Sequence, residues 1–135
     1  APDREATGRL FMRIPERRRR RGSTTTQALQ FQLAACCEDG KMQAMVLADG
    51  DGLPLASSGD TLACDEVAAK MVHVGARIHE WNGTLLGAGH KYDVQMRKVQ
   101  VDGTDLLVCA VGGTSDARKR QVARGATGAL RILAA

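Results

Sequence analysis

The chain offers few side chains whose types and spacing suit catalysis or metal binding. Its three histidines are His73, His79 and His90. On a helix, His73 and His79 would stand about 240° apart, so a single face cannot turn both onto one metal or substrate. The four cysteines are Cys36, Cys37, Cys64 and Cys109. Two are adjacent and the others sit inside apolar runs, which is the spacing of neither a disulfide framework nor paired zinc knuckles, so they read as reduced core thiols. Gly87-Ala88-Gly89-His90-Lys91 lacks the spacing and the hydroxyl of a phosphate-binding loop, and Asp49-Gly50-Asp51-Gly52 lacks the third acid and closing Glu of a calcium loop. Gly125-Ala126-Thr127-Gly128 lies inside a helical apolar stripe, whereas the phosphate clamp of a KH module joins two helices. The expectation is therefore no catalytic residue, no metal and no cofactor.

With 135 residues the chain is one domain by length, and its formal charge of +4 is unevenly placed. Residues 1–22 carry eight arginines against Asp3, Glu5 and Glu16, while the remaining 113 residues carry eleven basic and twelve acidic side chains. The folded part is thus near neutral, and only the Arg-rich segment ending in Arg17 to Arg21 should attract polyanions at long range. That segment lacks an apolar period and reads as a mobile arm over 1–22, with the domain over 23–135. Aromatic residues are four, Phe11, Phe31, Trp81 and Tyr92, too few for a base-stacking platform. No run reaches the roughly 18 to 20 apolar residues of a membrane span, and no signal-peptide core opens the chain, which points to the cytoplasm.

The elements follow from periodicity. Thr24 to Thr26 offer caps to a first helix with Leu29, Leu33 and Cys36 or Cys37 inward, stopped by Gly40. Met42 to Ala48 and Leu53 to Ser57 flank the Asp-Gly turn as a hairpin, and Pro54 assigns its strand to an edge or a bulge. Between Asp60 and Trp81, the residues Val67, Met71, Val74, Ile78 and Trp81 share one helical face, and Glu66, Lys70, His73, Arg77 and Glu80 form a polar stripe about 100° away. Asn82-Gly83 should end that helix, with a glycine-rich loop, or a short strand at Leu85, running to His90.

Tyr92, Val94 and Met96 then alternate, but Val99 and Val101 have the opposite parity, which predicts a bulge or break near Arg97 and Lys98. Asp93, Gln95 and Arg97 face away from the apolar side as an edge strand's protecting groups would. Asp102-Gly103 turns into Leu106 to Val111, apolar on both parities and therefore central. Ser115 should cap a last helix with Val122, Ala126, Leu130 and Leu133 inward, weakened by Gly125 and Gly128. The class is α+β, an α/β sandwich: a mainly antiparallel sheet of four to five strands with helices on both faces, in the order α-β-β-α-β-β(-β)-α.

Residues Ala44 to Ser58, an apolar strand ending in Asp49, with Gly52 three residues later and a second strand closing in Ala56-Ser57, resemble the first hairpin of Roadblock/dynein-light-chain domains. The element order extends that resemblance over residues 24–134, closest to the bacterial branch that accompanies small Ras-like GTPases and includes gliding-motility polarity proteins. The resemblance implies a non-catalytic dimeric adaptor, pairing its long helices side by side and continuing its sheet across the dimer. Its partners would be a small Ras-like GTPase or a paralogous Roadblock protein, and some members stimulate GTP hydrolysis. On this reading Glu66, Lys70, His73 and Arg77 form the partner-binding surface, and Val94, Met96 and Arg97 mark the dimer interface. The alternative is nucleic-acid or anionic-surface binding through the Arg-rich arm.

Overall fold

The computed structural model describes residues 16–134, with side chains from Thr24 onward. The first fifteen residues of the expected arm lie outside the described residues. Helix α1 spans Glu16–Gly40, so its backbone begins well before the threonines expected to cap it. Arginine is a good helix former, and nothing in the run from Arg17 to Arg21 interrupts the ladder. At the other end, Lys41 takes a left-handed φ of 55°, and the Met42 N–H bonds the Cys37 carbonyl at 2.9 Å, closing the helix one residue beyond Gly40.

The order continues with β1 (Ala44–Ala48), β2 (Pro54–Gly59), α2 (Thr61–Gly75), β3 (Glu80–Gly87), β4 (His90–Val101), β5 (Thr104–Val111) and α3 (Ser115–Ala134). The strands form one antiparallel five-stranded sheet in the order β2-β1-β5-β4-β3. As expected, β5 is central and Pro54 lies on an edge strand, opposite a register shift between Leu47 and Ala48. Met45, Leu47, Leu106, Val108 and Ala110 face α1 and α3, where Leu29, Leu33, Cys36, Val122 and Ala126 close over them. Val46, Leu107, Cys109, Val94 and Met96 face α2, which contributes Cys64, Val67 and Met71. Burying each large apolar side chain is worth about 1.5 to 3 kcal/mol, so both layers are needed to hold the sheet.

Further expectations change. Helix α2 stops at Gly75 rather than Trp81, because the Arg77 and Ile78 N–H groups both close on the Val74 carbonyl and the chain then joins the sheet. The predicted loop is strand β3, paired with β4 from Glu80↔Arg97 to Gly87↔His90. Asn82-Gly83 sits inside that strand, and the Trp81 ring lies over Gly83, 2.7 Å from where a Cβ would stand, filling the place of the missing side chain.

In β4 neither a bulge nor a break occurs: its register with β5 is unbroken from Val94↔Val111 to Val101↔Thr104. The apparent switch of face has another cause. Tyr92, Val94 and Met96 are covered by α2, and Val99 and Val101, on the opposite side of the same regular strand, pack with the α1 and α3 layer. In α3 the cap is Thr114, whose Oγ1 accepts the Ala117 N–H at 3.1 Å, and Leu130 points outward. Gly125 and Gly128 are buried contact points: a Cβ at Gly125 would press on Val108 and Met45, and one at Gly128 on the Gln32 side chain. Their loss of helix propensity is offset by close approach of α3 to the sheet and to α1.

Gly59 carries the tightest backbone constraint. Its φ is +90°, and a Cβ there would run into the Gln43 carbonyl and lie 2.9 Å from the Ala44 Cα. Gly59→Ala is expected to cost about 3 kcal/mol, read as a lower urea midpoint, whereas Gly50→Ala, with open space around it, should stay within about 0.5 kcal/mol.

Candidate interaction surface

Of the four residues expected to form the partner-binding surface, three remain displayed. Lys70 and His73 are exposed on α2, one turn apart, and Arg77 is exposed in the turn after the helix. His73 and Arg77 line an open groove with Asp51, from the β1–β2 turn, and with Ile78 and Trp81. Glu66 is not a free part of that surface. Its Oε1 accepts the Tyr92 hydroxyl at 2.7 Å, joining α2 to β4. Gly87 leaves the space this pair occupies, since a Cβ there would come within 2.8 Å of the Glu66 oxygen. Glu80 has left the helix for β3, where it pairs with Arg97 at 3.1 Å.

The residues marked for the dimer interface are placed differently. Val94 and Met96 have 0% exposure beneath α2, and β4 is flanked by β5 and β3, so this strand presents no edge. Gln95, read as an edge-protecting group, is buried. The edges are β2 and β3, and they differ chemically. On β2, Pro54 has no N–H, and the outward N–H of Ser57 donates to the Gln30 side chain of α1 at 2.5 Å.

On β3, the bond from the Lys98 N–H to the His79 carbonyl, 2.7 Å, sets the alternation of the ladder. Trp81, Gly83 and Leu85 turn their backbone groups toward β4, and Glu80, Asn82, Thr84 and Leu86 turn theirs outward. The Leu86 side chain is 67% exposed, and Thr84 bonds Asp93 at 2.9 Å. The signal for this strand was present in the sequence as Trp81 and Leu85 at even spacing. Gly83, between them, erased the alternation.

The shifted groups owe their pKa values chiefly to burial and local hydrogen bonds. Burial raises all four thiols, Cys64 to about 11, which keeps them protonated and poorly nucleophilic. Asp60 caps α2, and the bond from the Ala63 N–H holds its carboxyl below the usual range. Among the described residues no group of three or more His, Cys, Asp or Glu could hold a metal ion.

The Glu66 bond, followed by burial, pushes the Tyr92 phenol up to about 12 from 10.0. A raised phenol pKa stabilises the fold fully below pH 10, and that contribution is lost as pH rises toward 12. Tyr92 is the single tyrosine, so phenolate absorbance follows it alone. Its midpoint should stand near 12 in the parent and fall back toward 10 in Glu66→Gln.

No protein-family model matches the chain, and no curated protein matches it. Solved structures do. The gliding protein MglB from Thermus thermophilus superposes with a TM-score of 0.63 at 16% identity, covering 82% of this chain and 91% of that one. An MglB structure with a tetrameric arrangement gives the same score and identity, covering 82% and 90%. A Roadblock/LC7 domain from Streptomyces avermitilis gives 0.56 at 16%, covering 78% and 98%. Five antiparallel strands between one helix and two, matched over nearly the whole length of these domains, identify the architecture: the chain has the Roadblock/LC7 fold, in the form seen in MglB.

Proposed function

We propose that this chain is a non-catalytic, dimeric Roadblock-type regulator of a small Ras-like GTPase system in bacterial cell polarity or gliding motility, acting in the cytoplasm. The observation that carries the reading is the unequal pair of sheet edges. The β2 edge is closed from within, whereas β3 turns the backbone N–H and C=O groups of four residues outward next to the polar face of α2. A second copy adding its own β3 would satisfy those groups and set two α2 helices side by side. The tetrameric arrangement of one similar MglB structure supports self-association.

In the proposed dimer Lys70, His73 and Arg77, with the groove they border, face the GTPase or a paralogous Roadblock chain, and Glu66 holds α2 in place through Tyr92. A groove lined by His73, Arg77 and Trp81 suits a partner surface that combines acidic and apolar groups. Among the described residues no helix is long and apolar enough to cross a membrane.

Two experiments test the two halves of the proposal. Thr84→Pro removes an outward N–H and the exposed side-chain bond to Asp93 but leaves the backbone bonds to β4 intact, so sedimentation should show a folded monomer in place of the parent dimer. A dimeric variant would move the self-association surface away from β3. The pair Lys70→Glu and Arg77→Glu leaves the buried face of α2 untouched, so stability should change by no more than about 1 kcal/mol. It should still dimerise but lose capture of a GTP-loaded Ras-like GTPase or of a Roadblock paralogue, because introduced like charges cost several kcal/mol, on the order of 2 to 5, at a complementary interface. Capture equal to the parent's would show that this stripe is solvated surface only.

A further inference from the structure

The charge of the folded chain is divided between its two sides. Helix α1 carries Arg17 to Arg21 against Glu16, Glu38 and Asp39, and α3 carries Arg118, Lys119, Arg120, Arg124 and Arg131 against Asp116 alone. These two helices together hold an excess of six positive charges. Residues 41–114, the sheet and α2, hold six basic and nine acidic side chains, an excess of three negative ones. The positive excess therefore lies in one layer, the α1 and α3 pair, and that layer is opposite the surface assigned above to partners.

The helices of that layer run antiparallel. Asp39 meets Arg124 at 2.7 Å, Gln32 lies against Gly128, and the C-terminal end of α3 thus lies toward the N-terminal half of α1. At this end two large apolar side chains stand in solvent: Phe31, 69% exposed, on the side of α1 away from the buried Leu29, Leu33 and Cys36, and Leu130, 39% exposed. Lys119, Arg120 and Arg131 are exposed on the outer side of α3, and the Arg17 to Arg21 run occupies the first turns of α1 beyond Phe31.

We infer that the outer face of α1 and α3 docks on an anionic phospholipid surface. Cations alone would serve any polyanion. What favours the membrane is that the same two-helix face also carries an exposed aromatic ring and, next to Arg131, an exposed leucine, which can enter the acyl boundary while Lys119, Arg120 and Arg131 stay among the headgroup phosphates. A nucleic-acid backbone gives the cations partners but leaves Leu130 in water, and among the described residues Phe31 is the only exposed aromatic ring on that face available to stack. The attachment is peripheral, with the domain lying on the surface and its α2 side turned to the cytoplasm. This inference does not rest on the identity of the partner.

The test is co-sedimentation of the full chain with vesicles of phosphatidylcholine containing phosphatidylserine, with phosphatidylcholine vesicles, and with a duplex DNA oligonucleotide as competitor. The parent should bind the anionic vesicles, release them as salt rises, and ignore the neutral ones. Phe31→Ser, at a largely exposed site, should weaken vesicle binding roughly tenfold at unchanged salt sensitivity. Lys119→Glu with Arg131→Glu should abolish binding while circular dichroism and the dimer remain as in the parent. Failure to bind anionic vesicles, or equal binding to both kinds, overturns the inference. So does DNA binding tighter than vesicle binding and indifferent to Phe31→Ser, which would make the face a nucleic-acid surface.

Discussion

Strand β1 is buried along its whole length, because it lies between β2 and β5 with helices above and below, and β5 is covered on both faces from Leu106 to Val111. A sheet whose middle is apolar on both sides needs a helical layer on each face, or about half of that surface would stay in water. The α1 and α3 pair supplies one layer and α2 the other. Neither layer reaches evenly across five strands, and that unevenness shapes the candidate surface. β3 keeps its Trp81 side packed toward α2, while Glu80, Asn82, Thr84 and Leu86 remain open.

The two sheet edges are treated differently by the same local chemistry. A proline and a glutamine side chain close β2, devices that suppress uncontrolled strand addition. Leaving β3 open beside a short helix with a polar face confines any added strand to that edge. The electrostatics reinforce this polarity, since the excess of cations lies in the helical layer on the far side of the sheet. One copy therefore has an open sheet edge, a groove beside it, and a basic helical layer, each on a separate part of its surface.

Several interactions that fix this arrangement join residues far apart in the chain. Tyr92 donates to Glu66, Gln30 accepts from Ser57, and Arg124 meets Asp39. The last is largely exposed and contributes on the order of 0 to 1 kcal/mol, so it orients α3 on α1 more than it stabilises the pair. The small residues contribute more: Gly125 and Gly128 allow α3 to sit close to Val108, Met45 and Gln32.

Local pattern sufficed for much of the fold. The hairpin turns at Asp49-Gly50-Asp51-Gly52 and Asp102-Gly103, the central place of Leu106 to Val111, the edge position of Pro54 and the buried, reduced cysteines all depend on a residue and its immediate neighbours, so the sequence determined them by itself. The end of α2, the existence of β3 and the interior place of β4 were decided only in the folded chain. From Val74 to Trp81 the helical spacing was good, yet eight cross-strand pairs with β4 outweighed a further turn of helix, which could have buried one face only. The candidate surface divides along the same line. Lys70, His73 and Arg77 could be read from period and charge, whereas the withdrawal of Glu66 into a bond with Tyr92, the burial of Val94 and Met96, and the transfer of the open edge to β3 depend on which strands become neighbours, which no local window records.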